Sequence, residues 1–126
     1  MTVVDTSALI DSLCGSKRSA PVLRGLIEAG ERLLLPTIVL YEWLRGPRLP
    51  EELAAGEALF PRELTVPFGP AEAARAADLY RRVSRPRGRE IDLIIAATAL
   101  VREARLWALN SADFRDIPGL QLLSKR

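Results

Sequence analysis

The sequence predicts an α/β fold in which a mainly parallel sheet is covered on both faces by helices. Three observations lead there. Apolar segments of strand length alternate with longer segments of helical spacing, the order that a parallel sheet requires. The segment IDLIIAATALV (Ile91–Val101) has only Asp92 and Thr98 as polar residues, and such a helix belongs between a sheet and another layer. The chain has 126 residues with no shift in composition, which fits a single domain over 1–126 with a core of its own.

In order along the chain, Thr2–Val4 is the first strand and Ser7 to Leu13 a short helix. Ser19 before Pro21 opens a second helix, which carries Val22, Leu23, Leu26 and Ile27 and stops at Gly30. Arg32–Leu35 is apolar but too short to assign. A helix from Pro36 to Arg45 is halted by Gly46-Pro47. Glu51–Leu59 reads as a short helix closed by Pro61, and Leu64–Phe68 as the next strand. Gly69-Pro70 then opens a longer helix to about Ser84, with Ala73, Ala76, Ala77, Tyr80 and Val83 facing inward. The segment RPRGR (Arg85–Arg89) is a basic loop, Glu90–Arg102 a very apolar helix, and Leu106–Leu109 and Leu120–Leu123 the last strands.

Composition narrows the chemistry. Cys14 is alone, so no intrachain disulfide forms, as suits a reducing cytosol. The N-terminus carries no secretion-signal pattern and no window approaches the length of a membrane span, so a soluble cytoplasmic protein is expected. Net charge is +2, and sixteen of the eighteen basic residues are arginine. Guanidinium groups grip phosphate bidentately, although a GC-rich genome produces the same bias. Histidine is absent. That excludes histidine general acid–base chemistry, histidine-activated nucleophiles and the usual zinc sites.

Four acids occupy unusual places. Asp5 ends the first strand, at the sheet edge where ligands bind in parallel sheets, or else it caps the next helix. Glu42 interrupts the apolar helix TIVLYEWLRG and is placed there for a site or for an i,i+3 ion pair with Arg45. Asp92 lies in the first turn of the most apolar helix, where a carboxylate is costly unless paired, metal-bound or favoured by the helix start. Asp113 follows the strand LWAL through Asn110 and Ser111, in what is also an ordinary turn sequence. In a doubly wound sheet these four positions can converge on one cleft. A hard divalent cation with oxygen ligands, Mg²⁺ or Mn²⁺, relieves their mutual repulsion, and the matching chemistry is metal-assisted hydrolysis of a phosphodiester. Trp43 and Trp107 lie within apolar elements and are read as core.

These residues resemble a known family. Asp5-Thr6-Ser7 after an N-terminal strand, Glu42 in a helix ending Arg45-Gly46, DLIIAATAL from Asp92, and LNSADFRDIPGLQLL from Leu109 are similar to the PIN-domain nucleases. Within that family they most resemble the toxins of VapBC toxin–antitoxin pairs. The resemblance implies a three-layer α/β/α sandwich around a central, mainly parallel sheet, and a Mg²⁺- or Mn²⁺-dependent endoribonuclease. It also implies that Asp5, Glu42, Asp92 and Asp113 form the acidic metal site, supported by Ser7 and Asn110. A homodimer and a tight VapB-type antitoxin partner are implied as well. Ala108 departs from the pattern, since members often carry threonine two residues before the asparagine. Arg85, Arg87 and Arg89 open the helix bearing Asp92, where they are placed to contact RNA phosphates.

Two other PIN-like readings stand beside this one: a catalytically idle module that binds RNA or protein, and a housekeeping RNA-processing nuclease. A phosphotransfer receiver fits worse, because its partner lysine is lacking near the last strands and Lys125 is at the terminus. An aspartyl phosphatase fits no better, because Ser7 stands where its second acid belongs, and no phosphate-binding glycine loop is present.

Overall fold

The computed structural model describes residues 1–123, so Lys125 lies outside the described residues. Its centre is a parallel sheet of three strands in the order β2-β1-β3, with β1 at Thr2–Val4, β2 at Leu33–Leu34 and β3 at Arg105–Trp107. Thr2 stands opposite Leu33 on one side and Arg105 on the other, and Val4 opposite Trp107. Thr2, Val3 and Val4 are fully buried, as a central strand covered on both faces requires.

Six helices flank this sheet: α1 (Thr6–Leu13), α2 (Ala20–Glu28), α3 (Thr37–Arg45), α4 (Pro50–Leu59), α5 (Pro70–Arg82) and α6 (Glu90–Val101). α6 lies against β1 and β3 and carries α5 beside it, whereas α1 packs with α2, α3 and α4. The apolar stretch left unassigned between Arg32 and Leu35 is β2. Trp43 and Trp107 are both core residues, as expected.

Two expected strands shrink to single bridges. Around Leu64–Phe68 the chain forms a 3₁₀ turn over Arg62–Leu64, and only Val66 pairs, with Pro36. Pro61 and Pro67 flank this piece, and proline has no N–H to extend a ladder. Leu64 is therefore left 74% exposed. Around Leu120–Leu123 only Leu122 bridges, to Leu106. Both bridges are parallel, so the sheet is extended at each edge without changing its sense.

The inner face of α5 is also rotated from the expected one. Glu72, Ala76, Leu79 and Val83 are buried, whereas Ala77 and Tyr80 face solvent. The cause is Glu72, an acid that belongs to the inside. Its carboxylate accepts the Gly69 N–H at 3.0 Å, starting the helix, and pairs with Arg102 of the α6 end at 2.7 Å. A count of apolar residues alone overlooks such a position.

Candidate metal centre

The carboxyl end of β1 delivers Asp5. Its backbone N–H still belongs to the sheet, donating to the Trp107 carbonyl at 2.9 Å, while its carboxylate, only 5% exposed, lies past the last strand residue. The Ser7 hydroxyl donates to Asp5 Oδ2 at 2.7 Å. The Thr6 and Ser7 N–H groups favour the charged form, although none makes a full capping bond. Burial outweighs these partners and holds the Asp5 carboxyl above its usual range, with Glu42 pushing the same way.

Ser7 ties this strand end to the next one. Its hydroxyl oxygen accepts the Leu109 N–H at 3.2 Å and lies 3.3 Å from Asn110 Oδ1. A hydroxyl has one proton, and the shorter contact assigns it to Asp5. Asn110 Nδ2 donates to Asp113 Oδ2 at 2.5 Å, while Ser7 links Asp5 to the loop after β3 through the Leu109 N–H. Asp113 itself sits in a 3₁₀ turn, Ser111–Phe114, anchored by the buried Phe114.

Glu42 comes from the partly buried side of α3. Thr6 donates its hydroxyl to Glu42 Oε1 at 2.5 Å, and Arg45 reaches Oε2 at 3.3 Å across an i,i+3 step. The expected local ion pair is therefore present, but Arg45 is largely exposed and such pairs contribute little. The stronger tie, to Thr6, points Glu42 at the residue next to Asp5. Sequence reasoning treated Thr6 only as part of a turn and missed this contact.

Asp92 is the third residue of α6, whose start has no side-chain cap. It is half-buried, and its carboxyl is pushed up to about 6, first by burial and then by the charges of Asp5, Asp113 and Glu42, against a weaker pull from Arg89. The three acids that raise it are the three that the sequence grouped with it. Four acids from four separate elements thus share one electrostatic neighbourhood.

As they stand, no group of three or more acids among the described residues is drawn close enough to cage an ion. Glu42 is held by Thr6 and Arg45, and Asp113 by Asn110. The donor set is all carboxylate oxygen, the chemistry that a hard cation takes. None of the four acids lines the hollow of about 90 Å³ beside α3 and α4 or that of about 390 Å³ between α5 and α6.

The arginines divide. Arg85 and Arg87 are exposed, and Arg85 has the left-handed φ of +54° that a tight loop imposes. Arg89, expected to reach outward as well, is turned onto Asp116.

Fold and candidate site define a class: an α/β protein with a parallel sheet between helices, whose central strand ends on a buried acid. The PIN domain model matches residues 2–120. Ribonuclease VapC19 of Mycobacterium tuberculosis is 37% identical over 123 residues, spanning 96% of this chain and 98% of its own. Among solved structures, DNA-bound VapBC from Salmonella typhimurium superposes with a TM-score of 0.78 at 22% identity, covering 97% of this chain and 96% of that one. VapBC2 from Rickettsia felis, bound to a fragment of its promoter DNA, gives 0.77 at 18% identity over 99% and 98%. The chain belongs to the PIN domain family.

Proposed function

We propose that this chain is a divalent-metal-dependent endoribonuclease and the toxin of a type II toxin–antitoxin pair. The observation that carries the reading is Asp92, a carboxylate on an apolar helix whose charge is opposed by three other acids and that calls for a cation. The near full-length likeness to a protein named a ribonuclease supports the same conclusion.

Asp5, Glu42, Asp92 and Asp113 are the groups that would hold Mg²⁺ or Mn²⁺. Held by these residues, the ion would supply Lewis acidity for phosphodiester hydrolysis, lowering the pKa of a water and easing charge on the leaving oxygen. The chain's own residues prepare the site. Ser7 fixes Asp5 and joins it to the loop after β3, Thr6 fixes Glu42, and Asn110 fixes Asp113. Arg85 and Arg87, exposed beside the start of α6, are placed to bind RNA phosphates and carry no base information. The Ala108 methyl, buried behind Asn110, adds no hydroxyl to this network.

The whole chain acts as one PIN domain, in the cytoplasm, as a homodimer neutralised by a VapB-type antitoxin. Among the described residues no helix is long and apolar enough to cross a membrane. The splayed acids are the one observation that favours an idle PIN-like module instead. An RNA cleavage assay separates the readings. The purified protein is expected to cut RNA with Mg²⁺ or Mn²⁺ and to stop on chelation. Cleavage that continues undiminished in chelator contradicts the metal mechanism, and absence of cleavage of any cellular RNA with metal present supports the idle module.

A further inference from the structure

Arg89 and Asp116 stand symmetrically about the site. Arg89 is three residues before Asp92, and Asp116 three residues after Asp113. Their side chains meet as a fork: Arg89 Nη2 donates to Asp116 Oδ1 at 2.7 Å and Nη1 to Oδ2 at 2.9 Å. The same Nη2 donates to the backbone carbonyl of Asp113 at 2.9 Å, and Nη1 lies 3.3 Å from the Ser84 carbonyl. The Arg89 carbonyl accepts the Leu93 N–H, the first turn of the helix that carries Asp92. Arg89 thus joins three pieces: its guanidinium reaches the loop before α6 and the turn that presents Asp113, and its own backbone starts α6.

We propose that Arg89 is a positioning residue: with Asp116 it clamps the Asp113 turn against the start of α6 and so sets the spacing of two metal-binding carboxylates. The inference rests on the metal-dependent nuclease reading. Surface ion pairs are usually worth little, but a bidentate fork joined by a bond to a carbonyl is the exception in geometry. Asp116 is 43% exposed and Arg89 22%, so the clamp contributes alignment more than stability. A guanidinium whose fork is filled by a carboxylate is also poorly free to bind phosphate. This separates Arg89 from Arg85 and Arg87, with which the sequence grouped it.

The test is Mn²⁺ binding by titration calorimetry to wild type, Arg89→Met, Asp116→Asn and the double variant, with RNA affinity measured separately without divalent ions. Removing a positive charge beside four acids should by simple electrostatics tighten cation binding. The clamp predicts the opposite sign: Arg89→Met weakens Mn²⁺ binding about tenfold, the scale for losing a group that orients a ligand. Asp116→Asn weakens it comparably, and the double variant is no worse than the weaker single one. The reciprocal pair, Arg89→Asp with Asp116→Arg, recovers part of the loss. RNA affinity stays at the wild-type level in Arg89→Met.

Mn²⁺ binding as tight as wild type or tighter in Arg89→Met, with weakened RNA binding, overturns the clamp and makes Arg89 a phosphate contact. Arg89→Lys keeps the charge but not the fork, and is expected to fall between wild type and Arg89→Met. It carries the test if Arg89→Met does not fold. A wild-type protein that takes up no Mn²⁺ removes the nuclease reading itself, and the clamp's purpose with it.

Discussion

Asp92→Asn is expected to lower RNA cleavage by at least about a hundredfold, taking the range for orienting groups as a floor for a ligand. The same variant is expected to melt at a higher temperature than wild type at neutral pH without divalent ions. The two effects have one cause. The Asp92 carboxyl lies at about 6 in the folded protein against 3.8 ordinarily, because burial and three neighbouring acids oppose its charge. A carboxyl raised on folding contributes stability in full below its unfolded value and loses that contribution as pH rises through the folded one. At neutral pH the charged Asp92 is therefore a cost, of roughly 1–2 kcal/mol after allowance for its partial exposure. Asparagine removes the cost along with the ligand. Thermal melts in chelator should show wild type losing stability between about pH 4 and 7 and Asp92→Asn losing less over that window. Equal pH dependence of the two proteins, or wild-type cleavage by the variant, contradicts the assignment.

Asp5→Asn is the second large effect. Asp5 stands at the end of the central strand, nearly buried, with one oxygen committed to Ser7. An asparagine oxygen still accepts the Ser7 proton, so the turn and the β1–β3 join through Leu109 survive. What changes is the other oxygen, replaced by an NH₂ that donates and cannot ligate a cation. Single-turnover cleavage should fall by about a hundredfold or more at fixed Mg²⁺, with the melting temperature held or raised. A folded Asp5→Asn protein that cuts RNA at the wild-type rate would show that Asp5 is not a metal ligand.

The candidate residues stood out in the sequence because they break local rules. An acid at the end of a buried strand and another in a very apolar helix are conflicts that a site would resolve, and consistency across levels fails at such places. The type of α6 was readable because it is apolar over a length that only a buried helix fits. The edge strands were not. Val66 and Leu122 each make a single bridge, and one-residue pairing leaves no periodic trace. Nor was the face of α5, because a buried Glu72 satisfied by Gly69 and Arg102 looks like a solvated acid in sequence. Arg89 was grouped with its exposed neighbours because composition shows a charge and not its partner, and Asp116 is 27 residues away.

The claim on which the account turns is that Asp5, Glu42, Asp92 and Asp113 form one cation site. The most direct measurement is titration of Mn²⁺ into the wild-type protein near pH 6, in buffers of different ionisation heat. With Asp92 near half-protonated there, binding should release a fraction of a proton, seen as a heat that changes with the buffer. The release should vanish in Asp92→Asn, together with most of the affinity. Absence of binding at millimolar Mn²⁺, or binding that Asp92→Asn leaves untouched, would contradict it.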